Sequence, residues 1–208
     1  MGPKPRFNDP LEASSYFHPI GTNPYQHLRK RLVEQIIAQG YDYDTLTEIP
    51  VDWSNDQDTN GHISNPVYGR YASTGNVRLF ESFASTIGDI SREMLSGKEI
   101  GPLLKGYHYD LKRPASYPDA VIVGNRLSKL LADRYFTTTT IWSLRQQCVV
   151  AELRGWIVFV DPATGRPVDL VEKGEPYATL WKHIEEKVER ANTLLGKWNT
   201  EHRPREKL

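Results

Sequence analysis

The most constraining feature of this sequence is one helix-length apolar stripe followed by several strand-length apolar segments. The stripe recurs at helical spacing, which predicts one long helix with a buried side. Its members are Tyr68, Tyr71, Ala72, Gly75, Leu79, Phe83 and Ile87. Gly75 costs about 1 kcal/mol relative to Ala in a helix. We therefore expect a strand or a ligand to approach the helix closely there.

After Gly101 the chain contains four segments rich in β-branched and aromatic residues. They read LLKGYHYDLKRPA, DAVIVGNRLSKL, RYFTTTTIWSLRQ and CVVAELRGWIVFVD. Because the links between them are short, we expect an antiparallel meander. The simplest packing for this order of elements wraps one curved sheet around the long helix, which is an α+β fold.

Two further helices are predicted at the two ends of the chain. The first is expected to begin at Asn23, a capping residue, and to end at Gly40. The second carries an apolar stripe from Tyr177 to Leu195. The chain is accordingly divided into an N-terminal arm and helix (1–45), a central α+β domain (46–172) and a C-terminal helix and tail (173–208).

Composition argues against several classes of partner and location. The 26 Lys and Arg residues balance 26 Asp and Glu residues, so a nucleic-acid partner is not expected. The longest apolar runs are strand-sized, which predicts no membrane span. The first ten residues, MGPKPRFNDP, lack the apolar stretch of a secretory signal. A single cysteine, Cys148, precludes an internal disulfide framework and favours a reducing, intracellular compartment.

The segment DQDTNGHISNPVYGRY, from Asp56 to Tyr71, concentrates polar residues immediately before the long helix. Its Ser64-Asn65-Pro66 sequence predicts the helix start, with a capping residue followed by proline. Each polar residue also has a purely structural interpretation. The Asp58 carboxylate could cap a turn at Asn60-Gly61, His62 could orient the loop, Asn65 could cap the helix, and Tyr68 could pack in the core.

The spacing within this segment resembles that of the hotdog-fold thioesterases, in particular the 4-hydroxybenzoyl-CoA thioesterase-like group. That group carries the pattern D-x-D-x-x-G-H-x-N-N-x-x-Y between its first strand and central helix. The matching residues here are Asp56, Asp58, Gly61, His62, Asn65 and Tyr68. The Asp58-x-Asn60-x-His62 core is also similar to that of plant acyl-carrier-protein thioesterases. The resemblance covers residues 47–172 and implies a hotdog fold.

The resemblance implies hydrolysis of acyl thioesters of CoA or of an acyl-carrier protein, without a cofactor. It assigns catalysis to Asp58, Asn60 and His62, and substrate binding to Gly61, Asn65, Val67 and Tyr68. The N–H groups of Val67 and Tyr68 are the expected oxyanion donors, because the first N–H groups of a helix are free. No pair of His or Cys residues in the segment has a ligand spacing, so no metal is expected. A homodimer, or a dimer of dimers, is implied by the family.

The sequence departs from the family pattern at two places. Ser64 replaces the first Asn of the usual pair, and Ser73 occupies the place where many members have a helix glutamate. Three residues after the position of that glutamate, where these members have an arginine, this sequence has Asn76. Two alternatives therefore stay open: a lyase- or cyclase-type enzyme of acyl or polyketide metabolism, and an acyl-thioester binding protein without turnover.

Overall fold

A five-stranded antiparallel sheet forms the centre of the structure, which is a computed structural model describing residues 26–202. The strands are β1 (Thr47–Pro50), β2 (Gly101–Leu111), β3 (Ala120–Leu130), β4 (Arg134–Ser143) and β5 (Cys148–Val160). Their spatial order is β1-β3-β4-β5-β2. All four β-rich segments therefore form strands as predicted. Only β3, β4 and β5 form a meander, because β2 crosses over to pair with β5 at the far edge.

The helices lie before, within and after the strands. They are α1 (Gln26–Ala38), α2 (Asn65–Glu81), α3 (Ala84–Ile87), α4 (Ile90–Leu95), α5 (Leu170–Lys173) and α6 (Tyr177–Glu201), with a short 3-10 helix at Tyr43–Thr45. The predicted start of α1 at Asn23 lies outside the described residues. No helix within residues 26–202 combines the length and the apolar character needed to cross a membrane.

Helix α2 packs against one face of the sheet through its predicted apolar stripe. Tyr71 and Ala72 are buried with Val121 and Val123 of β3 in one core cluster. A Cβ atom on Gly75 would lie 2.7 Å from Val123 Cγ1, so the expected close approach is that of a strand. A long buried helix on an antiparallel sheet, with helices at both ends, is the α+β hotdog architecture that the sequence predicted.

The central helix is shorter than the apolar stripe suggested. It ends at Glu81, and Phe83 lies in the turn that leads into α3. Phe83 is nevertheless fully buried, because its ring contacts His183 of α6 edge-on with centroids 5.8 Å apart. The stripe continues past the helix end because the following turn and short helices keep the same side of the chain on the core.

The two long terminal helices pack on different parts of this unit. Leu32 and Ile36 of α1 pack with Ile122 and Trp142. Because Ile122 alternates with Val121 and Val123 along β3, α1 lies on the sheet face opposite α2. Helix α6 buries Leu180, Ile184 and Val188 in the same cluster as Leu79, Phe80 and Phe83.

The two terminal helices come into contact at a glycine. Gly40 ends α1 with φ +85°, and a Cβ atom there would clash with the carbonyl oxygen of Ala191 in α6. Just beyond it, Asp42 forms an ion pair with Lys187 of α6. The end of α1 is therefore fixed both by backbone contact and by charge.

Candidate active site

The loop before α2 is anchored by one buried carboxylate, that of Asp56. This side chain is only 1% exposed and accepts hydrogen bonds from the Tyr71 hydroxyl (2.6 Å), the Asp52 N–H (2.7 Å) and the Arg70 guanidinium. The Asp56 carbonyl also accepts from the Ser64 N–H at 2.8 Å. Asp56 thus holds the loop against the first turns of α2.

The Asp58 carboxylate lies at the exposed tip of this loop. It accepts hydrogen bonds from the backbone N–H groups of Asn60 (2.8 Å) and His62 (3.2 Å). These bonds, chiefly the one from His62, hold the pKa of Asp58 below its ordinary value of 3.8. The carboxylate is therefore ionised at neutral pH, and it also caps the turn, as its structural interpretation required.

The turn brings the next three predicted residues to the surface. Asn60, Gly61 and His62 are all exposed, and Gly61 has φ +74°, a conformation that favours glycine. The His62 carbonyl accepts from the Asp58 N–H at 2.8 Å, which closes the loop. His62 and Asp58 line the same cavity, whereas Asn60 and Gly61 do not.

The start of α2 differs from the predicted arrangement in two respects. Ser64 is the N-cap residue, and Asn65 is the first helical residue rather than the cap. The Val67 N–H, expected to be free, donates to the Ser64 carbonyl at 3.0 Å. Pro66 has no N–H, and the N–H of Asn65, the first helical residue, has no carbonyl inside the helix to which it can donate.

The side chains of Val67 and Tyr68 are core residues. They are 7% and 3% exposed and belong to the cluster beneath α2. Burial raises the pKa of the Tyr68 hydroxyl, which also receives a hydrogen bond from the backbone of Ala115. Tyr68 reaches the candidate cavity with part of its surface, whereas Val67 does not line it.

A cavity of about 240 Å³ lies where this loop, the start of α2 and the end of β2 meet. Asp58, His62, Asn65 and Tyr68 contribute one wall, and residues 111–114 contribute the other. The second wall was not predicted as part of the site. Its sequence, Leu-Lys-Arg-Pro, indicates a charged strand end, but nothing in it indicates that the strand crosses the sheet to lie beside α2.

A second cavity, of about 210 Å³, lies farther along α2 and is mostly apolar. Ser73, Asn76, Val77 and Phe80 line it from the helix, and Leu104 is among the residues that line it from the other side. Between the two cavities the Tyr109 hydroxyl packs against Gly69, where a Cβ atom would come within 2.5 Å of it. The two cavities therefore lie one after the other in a groove between α2 and β2, with the contact between Tyr109 and Gly69 separating them.

Metal-binding groups do not cluster in the part of the chain that the structure describes. Across residues 26–202 there is no group of three His, Cys, Asp or Glu side chains placed to hold an ion. The carboxylates of Asp56 and Asp58 instead accept hydrogen bonds from protein N–H and O–H groups.

Comparison with solved structures places the fold among known thioesterases. A DHNA-CoA thioesterase from Staphylococcus aureus superposes with a TM-score of 0.57 at 16% identity, covering 71% of this chain and 92% of that one. A hypothetical protein from Staphylococcus aureus in complex with CoA superposes with a TM-score of 0.56 at 15% identity, covering 69% of this chain and 84% of that one. A thioesterase complexed with coenzyme A and Zn from Thermus thermophilus superposes with a TM-score of 0.51 at 22% identity, covering 73% of this chain and 93% of that one.

Comparison at the level of sequence gives a family and no individual relative. No curated protein sequence matches the chain significantly. The sequence model of the thioesterase-like superfamily matches residues 52–174, a span that begins before the Asp56–Asp58 loop and ends just after the short helix α5. That span is more than half of the chain and contains α2 and the strands β2 to β5, so the chain belongs to the thioesterase-like superfamily.

Proposed function

We propose that this chain hydrolyses acyl thioesters in the groove between α2 and β2. The observation that carries the proposal is the meeting of the ionised Asp58 carboxylate and the start of α2 at one cavity. Thioester hydrolysis needs a carboxylate that activates water or attacks the acyl carbon, and donors for the developing oxyanion. Both kinds of group border this cavity.

Asp58 is the proposed catalytic carboxylate. Acting on water, it would accept a proton while the water oxygen bonds to the acyl carbon. The C–S bond would then break, and the protonated carboxyl would return its proton to the departing sulfur to release the thiol. Its lowered pKa makes it a weak base, because a general base works best with a pKa near the working pH. The same low pKa keeps it ionised as a nucleophile. The neighbouring His62 imidazole is proposed to support this carboxylate.

The start of α2 is the proposed oxyanion site. Its dipole favours negative charge, and the Asn65 N–H has no acceptor inside the helix. Asn65 is also one of the residues that line the cavity. Because the Val67 N–H already donates to Ser64, Asn65 replaces Val67 as the proposed donor.

The apolar cavity beyond Tyr109 is the proposed acyl slot. An acyl group needs an apolar pocket, and Val77, Phe80 and Leu104 supply one. The outer end of the groove, beside Lys112 and Arg113, is open to a thiol carrier. Relatives in complex with CoA support CoA as that carrier. The pantetheine arm of an acyl-carrier protein has the same thioester chemistry.

The proposed active form is a homodimer joined along β2. This edge strand is eleven residues long, and Leu103, Leu104, Tyr109 and Leu111 are each more than 40% exposed. The opposite edge is short, since β1 has four residues and ends in Pro50. An exposed, long edge strand is a template for pairing, and pairing between two copies would cover it.

Thiol release from a panel of acyl-CoA and acyl-carrier-protein esters tests the proposal. We expect turnover of at least one ester, and an Asp58→Asn variant should lose about 10²–10⁴-fold in kcat. Asp52→Asn is the matched control, because Asp52 also caps an exposed turn of this loop, through the N–H groups of Ser54 and Asn55. Full activity in Asp58→Asn together with its loss in His62→Ala would move the catalytic role to His62.

A non-catalytic acyl-thioester binding protein is the second candidate. Two observations favour it: the Asp58 carboxylate is engaged in capping its own loop, and Ser73 offers a hydroxyl where many family members have a glutamate. Binding of acyl-CoA esters without thiol release from any of them would establish this candidate.

A further inference from the structure

A chain of hydrogen-bonded side chains lies under the middle of the α2–β2 groove. Asn76 of α2 donates to the Tyr107 hydroxyl of β2. Burial raises the pKa of the Tyr107 hydroxyl, which stays protonated, and Thr139 of β4 lies close enough to it to oppose that rise. Thr139 in turn donates to Asn125 Oδ1 of β3 at 2.7 Å. One helix and three strands, α2, β2, β3 and β4, therefore contribute side chains to one polar cluster.

Counting the protons along this chain leaves the Asn76 amide only partly engaged. A hydroxyl has one proton to donate, so Thr139, which donates to Asn125 at 2.7 Å, has none left for Asn76 Oδ1, 3.5 Å away. One Asn76 N–H goes to Tyr107, and the other has no acceptor among residues 26–202. Asn76 therefore presents one donor and one acceptor.

The environment of Asn76 makes this unused capacity significant. Asn76 lines the 210 Å³ cavity beside Val77 and Phe80, where the other helix residue with a polar side chain is Ser73. The Ser73 hydroxyl donates to the Gly69 carbonyl at 2.9 Å, which occupies its proton. A polar group that lines an apolar slot discriminates between ligands that match it and ligands that leave it unpaired.

The buried members of this network also restrict the orientation of the Asn76 amide. Thr139 and Asn125 are 0% and 1% exposed, and Asn125 Nδ2 is buried without a partner. A Cβ atom on Gly75 would lie 3.2 Å from that nitrogen, so Asn125 is packed against the helix backbone and cannot turn away. A buried polar chain with incomplete hydrogen bonding is costly, so a ligand that completes the hydrogen bonds of Asn76 is favoured.

We propose that Asn76 is a specificity-determining residue that selects acyl groups carrying a hydroxyl. A hydroxyl both donates and accepts, so it satisfies the free N–H and the Oδ1 of Asn76 together, whereas a saturated acyl chain leaves both unpaired. The inference rests on the proposed thioester function. The inference adds the chemical class of the acyl group: the preferred substrate is a hydroxyacyl thioester, and the unsubstituted acyl thioester of the same length is a poorer one.

The test compares hexanoyl-CoA with its 3-, 4- and 5-hydroxy forms. We expect kcat/KM, or the equilibrium affinity where turnover is absent, to favour at least one hydroxy form by about tenfold, the order expected for one well-placed pair of hydrogen bonds. The preference should vanish in Asn76→Leu and in Asn76→Ala. Tyr107→Phe, which removes the anchor of the amide, should reduce the preference without removing activity on hexanoyl-CoA.

The control is Ser73→Ala, which alters the same cavity wall but should keep the preference for the hydroxy form. Thermal unfolding followed by circular dichroism verifies that each variant is folded. Equal treatment of all four esters by the wild type, or a preference that survives in a folded Asn76 variant, would overturn the inference alone. If neither these CoA esters nor the matching acyl-carrier-protein esters are bound or cleaved, the proposed thioester function fails and this inference fails with it.

Discussion

The Tyr71 hydroxyl donates a 2.6 Å hydrogen bond to the buried carboxylate of Asp56, and this contact joins the candidate catalytic loop to α2. The two residues lie fifteen positions apart, on either side of the turn that carries Asp58. The position of the exposed Asp58 carboxylate thus depends on a buried pair behind it. Loss of this pair would affect the stability of the fold and the position of the loop together.

Removal of the Tyr71 hydroxyl should destabilise the protein. In Tyr71→Phe we expect a loss of about 1–2 kcal/mol in the free energy of unfolding, because Asp56 keeps its bonds from Arg70 and Asp52. In Asp56→Ala the loss should be larger, about 3 kcal/mol, since three donors lose their acceptor. Urea denaturation measures both. Tyr43→Phe, at an exposed tyrosine, is the control and should have little effect.

Alanine substitutions at two helical glycines should change the stability of the protein in opposite directions. Gly75→Ala would bring a methyl group to 2.7 Å from Val123 Cγ1, and overpacking of this kind costs about 1–3 kcal/mol. Gly196→Ala in α6 meets no atom within 4 Å, so the higher helix propensity of alanine should stabilise the protein by about 1 kcal/mol. Melting temperatures of the two variants should move in opposite directions. A stabilised Gly75→Ala variant would contradict the close contact between α2 and β3.

The pH dependence of turnover should reflect the lowered pKa of Asp58. A carboxylate whose pKa lies below 3.8 in the folded protein loses its charge only when the pH falls through that lowered value. We therefore expect kcat/KM for thioester cleavage to show no acid limb from Asp58 above about pH 4.5. A pH–rate profile recorded where circular dichroism shows the native fold measures this. An acid limb well above this pH would contradict the assignment of the catalytic carboxylate to Asp58.

The sequence predicted the elements better than their arrangement. The start of α2 at Ser64-Asn65-Pro66 and the close approach at Gly75 follow from local chemistry, so both could be predicted. The position of β2 beside α2 could not, because the crossing of a strand to the far edge depends on packing of the whole sheet. The Tyr107–Asn76 contact joins residues 31 positions apart and depends on that crossing.

The predicted site residues also fall into two groups, according to whether their positions depend on local structure or on packing against the sheet. Asp58, His62, Asn65 and Tyr68 line one cavity, because they share a loop and the first turn of a helix. Val67 belongs to the core instead, since its position on α2 faces the sheet. Whether Asp58, Asn60 and His62 carry catalysis stays a prediction, for which the Asp58→Asn and Asp52→Asn pair is the decisive comparison.

The last prediction concerns assembly through β2. At micromolar concentration, light scattering should give a mass of twice the 23.8 kDa of one chain. Leu103→Lys places a charge on the exposed edge strand and should weaken the dimer at least about tenfold, because lysine on an edge opposes strand pairing. Leu131→Lys is the matched control: Leu131 is also exposed, but it lies in the turn between β3 and β4, so the dimer should persist. Both variants should remain folded, since neither leucine is buried. A wild-type monomer, or a dimer unaffected by Leu103→Lys, would show that β2 is not the edge through which two copies pair.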